Sequence, residues 1–281
     1  MQQEKTMQPF TIPLERRSGL NGFQLKLLAL LIMTIDHIYY FGSTLRPMPE
    51  MMTLIGRIAA PVFVYFVAQG FAHTHDRRQY FLRLYVGGVL MYLANSMINL
   101  YFPLPGGAAV MNGIFTTMAV IVLYLWWIEN LRQCLREGKR VRAVGYALAM
   151  AALFFSFVPT VLLIGVSPAL ARVLLALVPS PVYCEGSFVF VLLGIGFYYC
   201  RGSKCATAIY YTAFVGAMAG ISLLMGSLGD LSSEFFMWLA LPLILLYNGT
   251  RGRGMKYLFY LYYPAHIYVL ALAAGILGRL G

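Results

Sequence analysis

The sequence contains very little charge. Only 11% of its 281 residues are Asp, Glu, Lys or Arg, and Asp and Glu together number 10. About a quarter of the residues in a soluble domain are charged, so this chain has too few to cover a water-facing surface. The hydrophobic fraction of 60% and the mean hydropathy of +0.73 indicate a surface that faces lipid. The composition therefore predicts one membrane domain and no soluble domain.

Cysteines are also few, and no metal-binding pattern accompanies them. The chain has four: Cys134, Cys184, Cys200 and Cys205. None has the C-x-x-C spacing of zinc or redox sites, so we expect unpaired thiols. The spacing of His73 and His75 suits a metal, but the sequence offers no third and fourth ligand. We therefore predict no metal site.

The first 20 residues lack the apolar core of a cleavable signal peptide. They are polar and include Pro9 and Pro13. We expect the first membrane span to act as the insertion signal. The domain organisation that follows is a polar cytoplasmic N-terminal tail at 1–23 and a single transmembrane domain at 24–281.

Long apolar runs fill the rest of the chain. Because a bilayer core requires roughly 20 apolar residues per helix, these runs predict an all-α polytopic membrane protein with about nine transmembrane helices. The predicted spans are 24–42, 51–71, 80–101, 110–130, 143–165, 186–200, 206–228, 234–248 and 256–278. The stretch 168–180 is apolar but short and bracketed by prolines. It is an interfacial segment, a re-entrant segment or half of a tenth span.

The basic residues are distributed unevenly between the predicted loops. With the N-terminus in the cytoplasm, 15 of the 21 Lys and Arg residues lie in inside segments and 3 in outside segments. This bias is typical of a membrane protein with that orientation. It explains the net charge of +11 by contact with anionic lipid, and it argues against nucleic-acid binding, because the basic residues are spread over short loops.

Charged groups in the first two spans are candidates for function, because burying them in a membrane is costly. Lys26 and His37 are eleven residues apart, about three helical turns, so they share one helix face at different depths. An imidazole is the usual proton acceptor near neutral pH. Asp36 could hold the tautomer of His37 or pair with Arg57, which enters at a similar depth. Alternatively, these residues form a buried structural network.

A second group of polar residues lies in the last two spans. Asn248 and Arg251 belong to a glycine-rich segment that could bind an anion such as phosphate, or could be an ordinary basic loop. His266 lies near the middle of the last span, with Tyr260 and Tyr263 one to two turns earlier.

Other polar residues are weaker candidates. Glu185 stands at the outer mouth of the sixth span, where it could meet an acceptor amine. We expect Asn95, Asn99 and Asn112 to form hydrogen bonds between helices.

Taken together, these segments resemble a known family. Lys26 and His37 match the Arg/Lys-x10-His pattern of acyltransferase-3 membrane enzymes, and the whole chain resembles the TraX family, whose named member acetylates the N-terminus of conjugative pilin. The resemblance is carried by residues 25–37, 55–63, 70–74, 246–249 and 259–266.

The resemblance implies an acetyl-CoA-dependent acyltransferase in the bacterial cytoplasmic membrane. It assigns catalysis to His37 and a role on the CoA side to Lys26. With them we group Asp36, Arg57 and His266 as catalytic candidates. The candidates for CoA binding are Asn248, Arg251, Tyr260 and Tyr263. Arg57 or Asn248 would stabilise charge on the thioester oxygen.

The acceptor is open at this point. It is an amine or a hydroxyl, on a pilin-like N-terminus, a saccharide or another molecule at or beyond the membrane. Two other functions fit the same residues. Intramembrane His, Asp and Lys also form the proton relays of transporters. The chain could also be a non-catalytic scaffold of a conjugation or secretion assembly.

Overall fold

A computed structural model describes residues 18–226, 228–254 and 256–280, with side chains except at 228–232 and 256. Most of the predicted N-terminal tail, residues 1–17, lies outside these ranges. The described residues form helices and no strand, apart from one isolated parallel bridge between Leu20 and Tyr247.

The helices follow one another with short connections. They are α1 (Gly22–Gly42), α2 (Met51–Gly56), α3 (Ala59–His73), α4 (Arg77–Tyr101), a 3-10 turn (Pro105–Gly107), α5 (Ile114–Arg136), α6 (Arg140–Phe154), α7 (Phe157–Val166), α8 (Pro168–Leu177), α9 (Ser187–Cys200), α10 (Lys204–Leu224), α11 (Leu228–Trp238), α12 (Ala240–Leu245) and α13 (Lys256–Leu280).

The helical membrane fold predicted from composition is confirmed. Within the described ranges, seven helical stretches are long and apolar enough to cross a membrane, and α2–α3 and α6–α7 each count as one of them. The shorter apolar helices include α9 and residues 233–245, which match the two short predicted spans. The ten residues of α8 reach about 15 Å, half the thickness of a bilayer core. The total of nine spans stays a prediction.

Prolines divide three of the predicted spans into pairs of helices. Pro61, Pro159 and Pro242 have no N–H, so each leaves the carbonyl four residues earlier without its helical partner. The breaks between α2 and α3, α6 and α7, and α11 and α12 fall at or next to those carbonyls. The predicted spans at 51–71 and 143–165 are thus present, each as a helix interrupted near a proline.

The centre of the bundle is formed by α3 and α5. Most of α3 and the first part of α5, residues 114–128, are predominantly apolar, and residues such as Val64, Ala68 and Val120 are fully buried. By contrast, α6 and α7 bury almost none of their surface, and Leu148 and Leu162 are 65% and 68% exposed. Such an exposed apolar face is stable when it contacts lipid, as expected for the edge of a membrane domain.

An extended segment, residues 108–113, enters the bundle before α5. The sequence predicted a helix from residue 110, but α5 begins at Ile114. Irregular backbone in a membrane domain requires internal hydrogen-bond partners. Side chains supply them here: Tyr40 donates to the Ala109 carbonyl, and Asn99 bonds both the N–H and the carbonyl of Val110. This segment positions the site described below.

Candidate functional site

The two central histidines meet at the junction of α1 and α13. Nδ1 of His37 lies 3.0 Å from Nε2 of His266, and His37 is only 5% exposed. Their positions, 229 residues apart in the chain, are thus brought into one cluster. The ring of Tyr262 stacks on His266 with 5.0 Å between the ring centroids, and the edge of Tyr263 lies 5.9 Å away.

The hydrogen-bond network defines the tautomers of this pair. Nδ1 of His266 lies 2.8 Å from the Tyr262 carbonyl, which can only accept, so this nitrogen carries the proton. In neutral His266 the other nitrogen, Nε2, therefore accepts, and Nδ1 of His37 must donate to it. Nε2 of His37 therefore carries no proton, and it accepts a hydrogen bond of 2.8 Å from Nδ2 of Asn112. This arrangement is suited to accepting a proton at a single atom.

Asp36 and Arg57 are not part of the histidine cluster. The Asp36 carboxylate accepts a hydrogen bond of 2.8 Å from Thr53, and its side chain packs against Gly56. Within the described ranges the ion pairs are Arg77–Glu129 and Lys139–Glu137, so the expected pair of Asp36 with Arg57 is not formed. Arg57 is exposed at the break between α2 and α3. Asp36 therefore does not orient His37, since adjacent residues on a helix face different directions.

A large cavity of about 450 Å³ lies beside the cluster, at the end of the bundle where α1 begins. This volume is within the range of roughly 300–1,000 Å³ typical of small-molecule sites. We call it the large cavity. Its polar and aromatic lining comprises Lys26, Phe63, Phe66, Gln69, His73, Thr74, Tyr80, Arg83, Phe115, Tyr247, Arg251, Phe259, Tyr260 and Tyr263. Four of the five residues predicted to bind the cofactor are thus on its wall: Lys26, Arg251, Tyr260 and Tyr263.

Cations gather in the large cavity without acidic partners. The Lys26 ammonium lies 4.9 Å from the centre of the Phe66 ring and 5.8 Å from that of Phe259. The Arg251 guanidinium is close enough to repel it. Neither cation belongs to an ion pair among the described residues. Holding two like charges together is unfavourable unless an anion joins them, so the cavity is suited to an anionic ligand.

Asn248 does not line the large cavity but fixes the loop that carries Arg251. Its side chain donates to the Gly19 carbonyl and accepts from the backbone and hydroxyl of Thr250. The carbonyls of Thr250 and Arg251 in turn accept the first amides of α1, from Gly22 and Phe23. The loop backbone is therefore occupied with α1, and its contribution to an anion site is the Arg251 side chain.

The floor of the large cavity is a partition formed by Tyr263, Ile114 and Glu185. The Tyr263 hydroxyl accepts from the Ile114 amide at 3.3 Å and donates to the Glu185 carboxylate at 3.4 Å. Glu185 also accepts from the Gly113 amide at 2.7 Å, at the N-terminus of α5, where the helix dipole favours an anion. Glu185 lies between α8 and α9, outside the spanning helices. Burial raises the pKa of its carboxyl, and these hydrogen bonds act in the opposite direction.

A small cavity of about 100 Å³ lies on the other side of this partition. Its polar lining comprises Tyr92, Asn95, Asn112, Thr116, Ser180, Tyr183, Cys184 and Glu185.

The asparagines of α4 were predicted to form hydrogen bonds between helices. Asn95 instead donates to the backbone carbonyl of Asn112 at 2.8 Å, and Asn99 bonds Val110. The signal that an extended segment follows α4 was present in Gly106 and Gly107, whose positive φ values of 70° and 76° favour glycine.

The described residues contain no group of three or more His, Cys, Asp or Glu side chains that could hold a metal ion. Asn112 and Glu185 are site residues that the sequence analysis did not place in contact with the candidate catalytic groups. Both contact these groups only through the tertiary fold, because more than 70 residues separate each from its partner.

Comparison with known proteins places the chain in a family. The family model described as TraX protein matches residues 21–274. The probable fimbrial assembly protein FimC, serogroup H1, of Dichelobacter nodosus is 25% identical over 275 residues, which cover 92% of this chain and 98% of that protein. No solved structure matches the chain. Since the family model spans most of its length, from the start of α1 into α13, this membrane protein belongs to the TraX family.

Proposed function

We propose that this protein transfers an acetyl group from acetyl-CoA to an amine or hydroxyl acceptor at or beyond the membrane. The observation that carries the proposal is the large cavity, which joins unpaired cations at one end to Tyr263, beside the histidine pair, at the other. CoA is a phosphate-bearing anion with a long flexible arm. Its phosphates would bind Lys26 and Arg251, and its arm would extend toward Tyr263.

The aromatic wall supports this placement. Phe66 and Phe259 flank the Lys26 ammonium, and Phe115 packs against Tyr263 and Tyr260 with ring centroids 5.2 Å and 5.7 Å apart. An apolar lining with a few polar groups is typical of sites that hold an extended ligand. The predicted orientation of the chain puts the cationic end of the cavity on the cytoplasmic side, where acetyl-CoA is present.

In the proposed reaction the acceptor nitrogen or oxygen attacks the carbonyl carbon of the thioester. Nε2 of His37 takes the acceptor proton, the carbon–sulfur bond breaks, and CoA leaves as a thiolate that is protonated in turn. His266 and the Tyr262 carbonyl hold His37 in the tautomer that leaves Nε2 free. The Tyr263 hydroxyl would donate to the thioester oxygen if it exchanged its hydrogen bond to Glu185 for one to the substrate.

His37 does not line the large cavity, because Tyr263 and Ile114 lie on the cavity wall beside it. Asn112 also occupies its Nε2 atom. The amide of Asn112 must therefore give way when the acceptor arrives. Its Oδ1 is buried without a hydrogen-bond donor among the described residues, so moving the Asn112 side chain breaks no hydrogen bond at that oxygen.

The relatives support a role in pilus biogenesis. The relative from Dichelobacter nodosus bears the name of a probable fimbrial assembly protein. A pilin-like N-terminus is accordingly one proposed acceptor, and the bacterial cytoplasmic membrane is the proposed location.

The experiment is a transfer assay with purified protein in proteoliposomes, labelled acetyl-CoA and envelope extract, followed by mass spectrometry of the labelled product. We expect one acetylated product that is absent when His37→Gln replaces the wild type. Labelled substrate that is carried across the membrane without any acetylated product would instead identify a proton-coupled transporter. That second function draws support from the direct His37–His266 hydrogen bond, since paired imidazoles can relay protons.

A further inference from the structure

The small cavity has no role in the donor site described above. It is separated from the large cavity by one layer of side chains: Tyr263 lines the large cavity, and its hydroxyl donates to Glu185, which lines the small one. It is also adjacent to the base, because Asn112 lines it and contacts Nε2 of His37. A group in the small cavity would thus be adjacent both to the partition of the proposed donor site and to the residue that contacts the proposed base.

Two amide oxygens of residues that line the small cavity have no hydrogen-bond donor among the described residues. Oδ1 of Asn95 and Oδ1 of Asn112 are buried, and neither accepts a hydrogen bond from any residue that the structure describes. Asn95 is only 8% exposed. Leaving a buried amide oxygen without a donor is unfavourable, and such groups are rare in folded proteins. A molecule that supplies N–H or O–H groups, water included, would satisfy these oxygens.

Glu185 adds a carboxyl group to the same wall. Its carboxylate accepts from the Gly113 amide and the Tyr263 hydroxyl, which leaves lone pairs available on the cavity side. Among the residues that the structure describes, no Lys, Arg or His belongs to this lining. The small cavity is thus the reverse of the large one, which is lined by cations and suited to anions.

We propose that the small cavity is the acceptor site and takes the amine or hydroxyl end of the acceptor, with Glu185, Asn95 and Asn112 as its hydrogen-bond partners. This inference rests on the proposed acetyl transfer. The volume of about 100 Å³ admits only the reacting end, so the rest of the acceptor remains outside the bundle. For the acceptor group to attack the thioester carbonyl, the Tyr263 side chain must leave the partition. The carbon–sulfur bond then breaks, CoA leaves as a thiolate that is protonated in turn, and the acceptor proton passes to His37.

The first test fills the cavity without touching the donor site. Ala176 lines the small cavity, whereas Ala169 is an exposed residue of the same helix, α8. We compare Ala176→Leu with Ala169→Leu, using n-butylamine and n-butanol as small acceptor probes of matched size. Ala176→Leu should raise the KM for the reactive probe about tenfold or more and leave the Kd for acetyl-CoA unchanged. Equal KM values in the two variants would overturn the assignment, and the probe that is consumed distinguishes amine from hydroxyl.

The second test does not depend on turnover. In a full-length chain whose Cys134, Cys200 and Cys205 are replaced by alanine, Cys184 remains as a thiol on the cavity wall. We measure its labelling in detergent by a cationic and an anionic methanethiosulfonate reagent of equal size. The cationic reagent should react about tenfold faster, and Glu185→Gln should remove the difference. n-Butylamine should slow the labelling.

The outcomes separate the two proposals. Charge-independent labelling, or no labelling until SDS is added, overturns the acceptor site. Charge-selective labelling that n-butylamine slows, together with no acetyl transfer to either probe, retains the small cavity as an amine site and refutes the acetyltransferase function. Labelling that neither probe affects identifies a cavity that holds water only, and this also overturns the proposal.

Discussion

The side-chain amide of Asn112 covers the free nitrogen of His37, with 2.8 Å between Nδ2 of Asn112 and Nε2 of His37. This contact joins the histidine pair to the small cavity, because Asn112 lines that cavity. The other nitrogen of His37 donates to His266, so its basic atom points in a single direction. The base thus faces the cavity that we assign to the acceptor.

Replacing His266 tests whether it positions His37. In the His266→Ala variant His37 loses the group that accepts its Nδ1 proton, and both tautomers become accessible. We expect kcat to fall, by less than in His37→Gln, with the Kd for acetyl-CoA unchanged. The pH profile of kcat is the discriminating measurement, since a positioning role shifts it. A loss of activity with an unshifted profile would indicate that His266 serves packing alone.

The donor site is tested by two arginines of one loop. Arg251 lines the large cavity, whereas Arg253 is exposed and does not. Arg251→Ala should weaken acetyl-CoA binding by roughly 1.5–3 kcal/mol, the contribution of a hydrogen bond to a charged group, and Lys26→Ala should act similarly. Thermal-shift titration with acetyl-CoA measures this. Arg253→Ala is the control, and an equal effect of both arginine variants would show a general charge effect.

The extended segment depends on Asn99 for its stability. Asn99→Ala leaves the N–H and the carbonyl of the buried Val110 without partners, and we expect a loss of about 1–3 kcal/mol in the free energy of unfolding. Equilibrium unfolding in mixed SDS micelles measures it. Ser96→Ala on the same helix is the control, because its exposed hydroxyl bonds only the preceding turn. Equal stability of both variants would contradict this role.

The predicted orientation is tested with reporter fusions. A reporter at Gly281 should be outside the cytoplasm, and one at Gly138, in the connection between α5 and α6, should be cytoplasmic. The reason is the excess of basic residues in the predicted inner loops. A cytoplasmic reporter at Gly281 would require an even number of spans. It would indicate that residues 168–180 form a full transmembrane helix.

The sequence was most informative where physical requirements are local. Runs of apolar residues predicted the helices, because a lipid-facing helix must be apolar along its length, and α1 begins within two residues of the prediction. The capping box of Asn21 and Gln24 defines that start. Lys26 and His37 stood out since each is a titratable group in an apolar helix.

The arrangement of the candidate site and of residues 108–113 depends on contacts between segments that are distant in the sequence. Glu185 contacts Tyr263, 78 residues later, and Asn112 contacts His37, 75 residues earlier. No local pattern encodes such pairs. The same holds for residues 108–113, whose irregular backbone is tolerated because side chains from α1 and α4 bond it. Asp36 and Arg57 were possible partners in the sequence, but the Asp36 carboxylate accepts from Thr53 and forms no ion pair with Arg57 among the described residues.

His37→Gln is the measurement that tests the central claim most directly. Glutamine retains hydrogen bonding to His266 and Asn112 but cannot accept a proton at neutral pH. With labelled acetyl-CoA and the acceptor identified from envelope extract, we expect turnover to fall by about a hundredfold to ten-thousandfold while the Kd for acetyl-CoA stays at the wild-type value. The exposed His75→Gln serves as control and should retain full activity. A His37→Gln variant with near-normal turnover would contradict the account and leave His37 as a packing residue.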